Sequence, residues 1–167
     1  GNFKAIKPHL DTDYDYVLLI GVFEYGQAYI GGVSPYEDFM RICNRHRKQE
    51  GRLVIAIENK FGLKYWAGCR EDHLGTYFSG LEGYHEGASA RTFTRHGLQK
   101  ILDKVGIKEY KFYYPYPDYK FATAIYSDSY LPKKGELSNN LRNFDRERVL
   151  LFDEKQVFDE ILEEKEF

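Results

Sequence analysis

The stretch DYDYVLLIGVFEYG, residues 13–26, decides how the chain reads. Its aliphatic residues, Val17 to Ile20 with Val22 just beyond Gly21, lie between Asp15 and Glu24. A short apolar run closed by a polar residue predicts a parallel strand buried on both faces, with a polar carboxyl end.

The residues that follow supply the rest of a crossover unit. In VSPYED, residues 33–38, Ser34 is placed as N-cap, Pro35 at the first helical position and Glu37 at the third, a capping box. Tyr36, Phe39, Met40 and Cys43 then recur at helical spacing as one apolar stripe, with Arg41, Arg45, Arg47 and Lys48 facing water and Gly51 closing the run. RLVIAIEN, residues 52–59, predicts a second buried strand over Leu53–Ile57 with Glu58 and Asn59 at its end. Strand, helix, strand implies a right-handed parallel connection.

Between Lys60 and Ser89 the periodicity lapses: six glycines and scattered aromatic residues leave a long irregular connection, the kind that carries binding contacts or a lid. Order returns in RTFTRHGLQKILDKVG, residues 91–106. There Thr94 caps a helix, Phe93 and Leu98 form a hydrophobic staple, Ile101, Leu102 and Val105 extend the stripe, and Gly106 follows the last turn. EYKFYY (109–114) and KFATAIYS (120–127) predict an antiparallel hairpin around PYPDY, with Pro115 and Pro117 blocking strand extension. Residues 132–148 read as a polar loop. Asp153 and Gln156 then introduce an acidic helix with an apolar stripe of Val157, Phe158, Ile161 and Leu162, either a docking helix or a linker.

Composition narrows the function classes. A chain of 167 residues is long enough for one sizeable core. A net charge of −2 with dispersed Lys and Arg gives no footprint for nucleic acid or an anionic membrane, so small-molecule chemistry is expected. Cys43 and Cys69 are too few for a disulfide framework, and no apolar run reaches the length of a signal sequence or membrane span, which points to the cytoplasm. Cys69 and His73 have C-x-x-x-H spacing but no second pair follows, so no metal site is expected.

DYVLLIGVFEY (15–25), GRLVIAIENKFGLKYWAGCREDHLG (51–75), GLEGY (80–84), RTFTRHGLQKIL (91–102) and YYPYPDYKF (113–121) together resemble class I S-adenosylmethionine-dependent methyltransferases. Within that family the resemblance is to bacterial methyltransferase-like proteins of surface polysaccharide biosynthesis, and it spans roughly residues 13–132. It implies an α/β fold: the second half of a Rossmann-like sheet, parallel strands followed by an antiparallel hairpin, with helices packed on it. The glycine-rich turn and the acidic ribose-binding residue of the family's first half have no counterpart here, so the chain looks like the carboxyl half of such a domain. Residues 1–12 are then a lead-in, 13–130 the half domain and 131–167 an extension.

By resemblance, Gly21, Val22, Phe23 and Glu24 pass beneath the methionine part of S-adenosylmethionine, since ligands of such sheets lie beyond the carboxyl ends of the strands. Glu58, Asn59, Glu82, Tyr84 and His85 are candidates for contacting the methyl acceptor, a sugar or glycan precursor. His73, beside Asp72, is the candidate base, because a neighbouring carboxylate fixes the tautomer of an imidazole. The alternative is a catalytically inactive interaction or scaffolding module, paired into a homodimer through the exposed edge of the Val17–Val22 strand.

Overall fold

The computed structural model describes residues 3–137 and 151–164. In chain order its elements are α1 (Phe3–Ile6), β1 (Tyr14–Ile20), α2 (Gly26–Tyr29), α3 (Pro35–Arg45), β2 (Arg47–Ala56), α4 (Leu63–Trp66), α5 (Arg95–Val105), β3 (Tyr113–Tyr116), β4 (Ala124–Ser127) and α6 (Glu154–Glu164). They form a mixed α/β protein with one parallel and one antiparallel two-stranded sheet. The chain divides into two compact units, Gly1–Asn59 with Glu86–Glu109, and Lys60–His85 with Tyr110–Phe167.

In the first unit β1 and β2 run parallel, in register from Tyr16 opposite Arg52 to Ile20 opposite Ala56. The strand β2 begins at Arg47, six residues before the expected start, and so takes in Gly51. That glycine is not the helix stop its sequence context suggests. A Cβ on it would meet the carbonyl oxygens of Tyr14 and Asp15 at 2.8 and 2.9 Å, so it admits a close backbone approach where the β1–β2 register is irregular. The helix α3 has already ended at Arg45.

The apolar stripe of α3 is buried as its spacing requires: Tyr36, Phe39, Met40 and Cys43 join Leu19, Phe23, Ile101 and Leu102 in one core. Val17, Leu53 and Ile55 pack against this core, whereas Tyr16, Leu18, Ile20 and Val54 are exposed. The sheet is therefore buried on one face, not two, because alternate side chains of a strand point to opposite faces and helices cover only one of them. Ser34 stands at the N-cap of α3 with Pro35 after it, but its hydroxyl makes no capping bond. Glu37, its expected partner in the capping box, instead accepts a 2.9 Å bond from Lys104 of α5. The helix α5 follows its sequence closely: the Gly97 amide donates to Thr94 Oγ1 at 3.0 Å, and Gly106 closes the helix in the left-handed conformation with φ 82°.

In the second unit β3 and β4 pair antiparallel, with Pro115 opposite Ile125. Pro115 thus lies inside a strand rather than in the turn. A two-stranded ladder has only edge strands, where the missing N–H of proline is tolerated. The acidic helix α6 docks within this unit: Phe158 is buried with its ring 5.6 Å from that of Tyr116, Asp159 accepts from the Gly135 amide at 2.9 Å, and the Leu151 amide donates to Ala67 O at 2.7 Å. Residues 138–150, most of the polar stretch expected as a loop, lie outside the described residues. No helix among the described residues is long and apolar enough to cross a membrane.

Candidate functional sites in the two units

Strand β1 ends as its glycine dictates. Gly21 donates to Ala56 O at 3.0 Å and takes a left-handed conformation, φ 60°, which turns the chain off the sheet into a short 3-10 turn, Phe23–Tyr25. Phe23 is fully buried between Tyr36, Phe39 and Phe93, with ring centroids 5.7 to 5.8 Å away. This aromatic anchor fixes the next residue, Glu24, at 1% exposure. The backbone of Glu24 is held as well: its carbonyl accepts the Tyr36 hydroxyl at 3.1 Å and the Arg91 amide at 2.9 Å.

At the end of β2, Glu58 is 6% exposed, and Asn59 bridges to Phe93 in parallel register. Two carboxylates are therefore buried beyond the carboxyl ends of a parallel strand pair, where open α/β sheets bind their ligands. Glutamate is almost never fully buried unless it is paired, and both of these carboxylates have partners where they lie. Of the residues expected to meet the cofactor, Gly21 makes the turn, Val22 is half-buried, Phe23 is core and Glu24 is the polar group.

The second unit carries a different arrangement. Glu71 opens a turn in which the Gly75 amide donates to its carbonyl at 2.8 Å, and its own carboxylate caps that turn. Oε2 accepts the amides of His73 and Leu74 at 2.8 and 2.7 Å, while Oε1 lies 2.9 Å from His73 Nδ1. Burial pushes the Glu71 carboxyl up, but the His73 ring and the two amides outweigh it and hold its pKa below the ordinary value. A carboxylate on Nδ1 keeps a proton on that nitrogen and fixes the orientation of the ring.

The carboxylate that orients His73 is thus Glu71, two residues before it, and not the adjacent Asp72. Asp72 instead accepts Lys64 Nζ at 2.7 Å and the Tyr65 hydroxyl at 3.1 Å, with Asp118 4.0 Å from the same ammonium. The turn explains the exchange: the capping amides of His73 and Leu74 hold the Glu71 carboxylate where its other oxygen meets His73 Nδ1. Tyr84 belongs to the same group through its hydroxyl, 3.5 Å from Glu71 Oε1, and it holds a left-handed backbone, φ 62°. That conformation is strained for a bulky side chain and persists only where the surroundings enforce it. Glu82 and His85 are exposed.

No protein-family model, curated protein or solved structure matches the chain.

Proposed function

We propose that the chain is the acceptor-side half of a class I S-adenosylmethionine-dependent methyltransferase domain with a Rossmann-like sheet, acting in the cytoplasm on a hydroxyl or amine of a sugar or glycan precursor. The observation that carries this reading is the pair of buried carboxylates, Glu24 and Glu58, beyond the carboxyl ends of β1 and β2. Their chemistry fits the two ligands: a carboxylate at Glu24 accepts from an ammonium or a ribose hydroxyl and favours a nearby sulfonium charge, and one at Glu58 accepts from a hydroxyl of the acceptor. Gly21, Val22 and Phe23 shape the turn against which the amino-acid portion rests.

When bound, S-adenosylmethionine supplies an electrophilic methyl group on a sulfonium. The part assigned to His73 is to take the proton of the attacking hydroxyl on Nε2, and that of Glu71 is to stabilise the imidazolium so formed. Asp72 acts indirectly, holding Lys64 and Tyr65 in place. Glu58, Asn59, Glu82, Tyr84 and His85 are the candidates for contacting the acceptor. Calorimetry with S-adenosylmethionine and S-adenosylhomocysteine tests the reading. A micromolar constant, about −8 kcal/mol, is expected for the sulfonium, with weaker binding of the uncharged product and of Glu24→Gln. Absence of heat with both ligands at millimolar concentration would overturn it.

A second reading rests on the exposed apolar face of the parallel sheet. Tyr16 is 66% and Leu18 59% exposed, although parallel sheets are ordinarily covered on both faces. In this reading the chain is a scaffolding module that pairs with a second copy through β1. Sedimentation would then give a dimer that Leu18→Lys dissociates, whereas a strict monomer at high concentration removes the reading.

A further inference from the structure

We propose that Lys60, Phe61, Trp66 and Tyr84 form a binding subsite for an acidic sugar unit, a pyranose ring bearing a carboxylate or phosphate. The inference rests on the glycan acceptor proposed above and adds its charge and its platform. It begins with Trp66, the sole tryptophan of the chain. Tryptophan is highly buried on average, yet Trp66 is 51% exposed while its neighbour Tyr65 is buried.

The short helix α4 explains the contrast. Tyr65 points inward and is pinned by its 3.1 Å bond to Asp72, and the Ala67 and Cys69 amides close the turn onto Leu63 O and Lys64 O at 3.0 and 2.9 Å. Trp66 is thereby held outward on a fixed base. Beside it Phe61, 46% exposed, sets its ring at 66° to the indole with centroids 6.3 Å apart. Two half-exposed rings at such an angle make a corner. The C–H face of a pyranose stacks on one ring while its rim meets the other.

Charge enters through Lys60. Its ammonium stands 5.3 Å from the Phe61 ring centroid and 5.8 Å from that of Tyr84, a cation held between two aromatic faces. Lys64, four residues along, is neutralised by Asp72 at 2.7 Å. Lys60 has no such ion pair among the described residues, so its charge is available to an incoming anion. Tyr84 is anchored at its far end by its hydroxyl, 3.5 Å from Glu71 Oε1. Gly80 makes room beneath: a Cβ there would come within 3.3 Å of both Lys60 O and the Tyr84 hydroxyl. A neutral sugar would use only the two rings, and a simple anion only the lysine. The combination selects a sugar that carries its charge with it.

Because Trp66 is the sole tryptophan, its emission reports on this corner alone. The full chain is titrated with a glucuronate-containing oligosaccharide, a nucleoside diphosphate sugar and a neutral cello-oligosaccharide. A saturable change in emission is expected with one or both acidic ligands. The first two arms separate a carboxylate source from a phosphate source. The neutral ligand should bind at least about tenfold more weakly, and Lys60→Gln and Phe61→Ala should each weaken the acidic ligand about tenfold. Circular dichroism on both variants checks that the fold is kept. Unmoved emission with all three ligands overturns the proposal, as do equal affinities for acidic and neutral sugars, or emission that follows protein concentration rather than sugar. The titration contains no S-adenosylmethionine. Sugar binding without heat from that cofactor would sustain the subsite and sink the methyltransferase, and the reverse result would do the opposite.

Discussion

Replacing Gly26 with alanine tests the packing that holds Glu24 in place. Gly26 has φ −52° and ψ −38°, fully helical, so alanine fits its backbone and should stabilise by up to about 1 kcal/mol through reduced chain entropy. The obstacle is steric. The added Cβ would lie 2.6 and 2.8 Å from Cδ1 and Cε1 of Tyr36. That ring is hard to displace: its hydroxyl binds Glu24 O, and its edge packs on Phe93 with centroids 4.8 Å apart. Overpacking of this kind costs about 1–3 kcal/mol, so the net loss should be roughly 1–2 kcal/mol. In a Tyr36→Ala background the clash disappears and only the entropic gain remains, giving a coupling of about 1–3 kcal/mol between the two positions. The four proteins of the cycle are compared by urea denaturation followed by far-ultraviolet circular dichroism, with the midpoints read at constant slope. Equal or greater stability of Gly26→Ala in the wild-type background would refute the reasoning, since Tyr36 would then be free to move.

Other perturbations have equally definite outcomes. Glu71→Gln removes a carboxylate that accepts two amides and His73, and should cost about 1.5–3 kcal/mol near neutral pH. Its folded pKa lies below the ordinary value, so the contribution is present above an unfolded pKa of about 4.3 and fades as pH falls through the folded value. Urea midpoints of wild type and variant should therefore converge in acid, and a constant gap down to pH 2 would contradict this. Phe158→Ala should destabilise the second unit by about 3–5 kcal/mol, read from the urea midpoint of Trp66 emission. Burial pushes the Cys43 thiol up to about 12, leaving on the order of one thiolate in ten thousand at pH 8. Iodoacetamide should therefore leave Cys43 unlabelled in the native protein, as peptide mass spectrometry would show.

What was legible in the sequence depended on whether the signal was local. Thr94 and Gly106 bound α5, and Pro35 starts α3, because a cap or a proline acts within one helical turn. Gly51 misled because a glycine after an amphipathic run is a good helix stop, whereas its real constraint is the approach of Tyr14 and Asp15 from another strand. The exposure of Leu18 and Ile20 was equally hidden: a continuous apolar run states what a strand is able to bury, not what covers it. At the candidate sites, Glu24 and Glu58 were visible as the polar ends of apolar runs. Glu71 was not, since its hold on His73 comes from a turn stabilised by side-chain to backbone bonds, which have no periodicity.

The claim that the strand ends of the first unit receive S-adenosylmethionine is tested most directly by amide hydrogen exchange with and without that ligand. Protection should rise in the segments 20–26 and 56–59, which hold Gly21, Glu24 and Glu58, and Glu24→Gln should diminish it. Unchanged exchange in both segments at millimolar ligand would contradict the assignment.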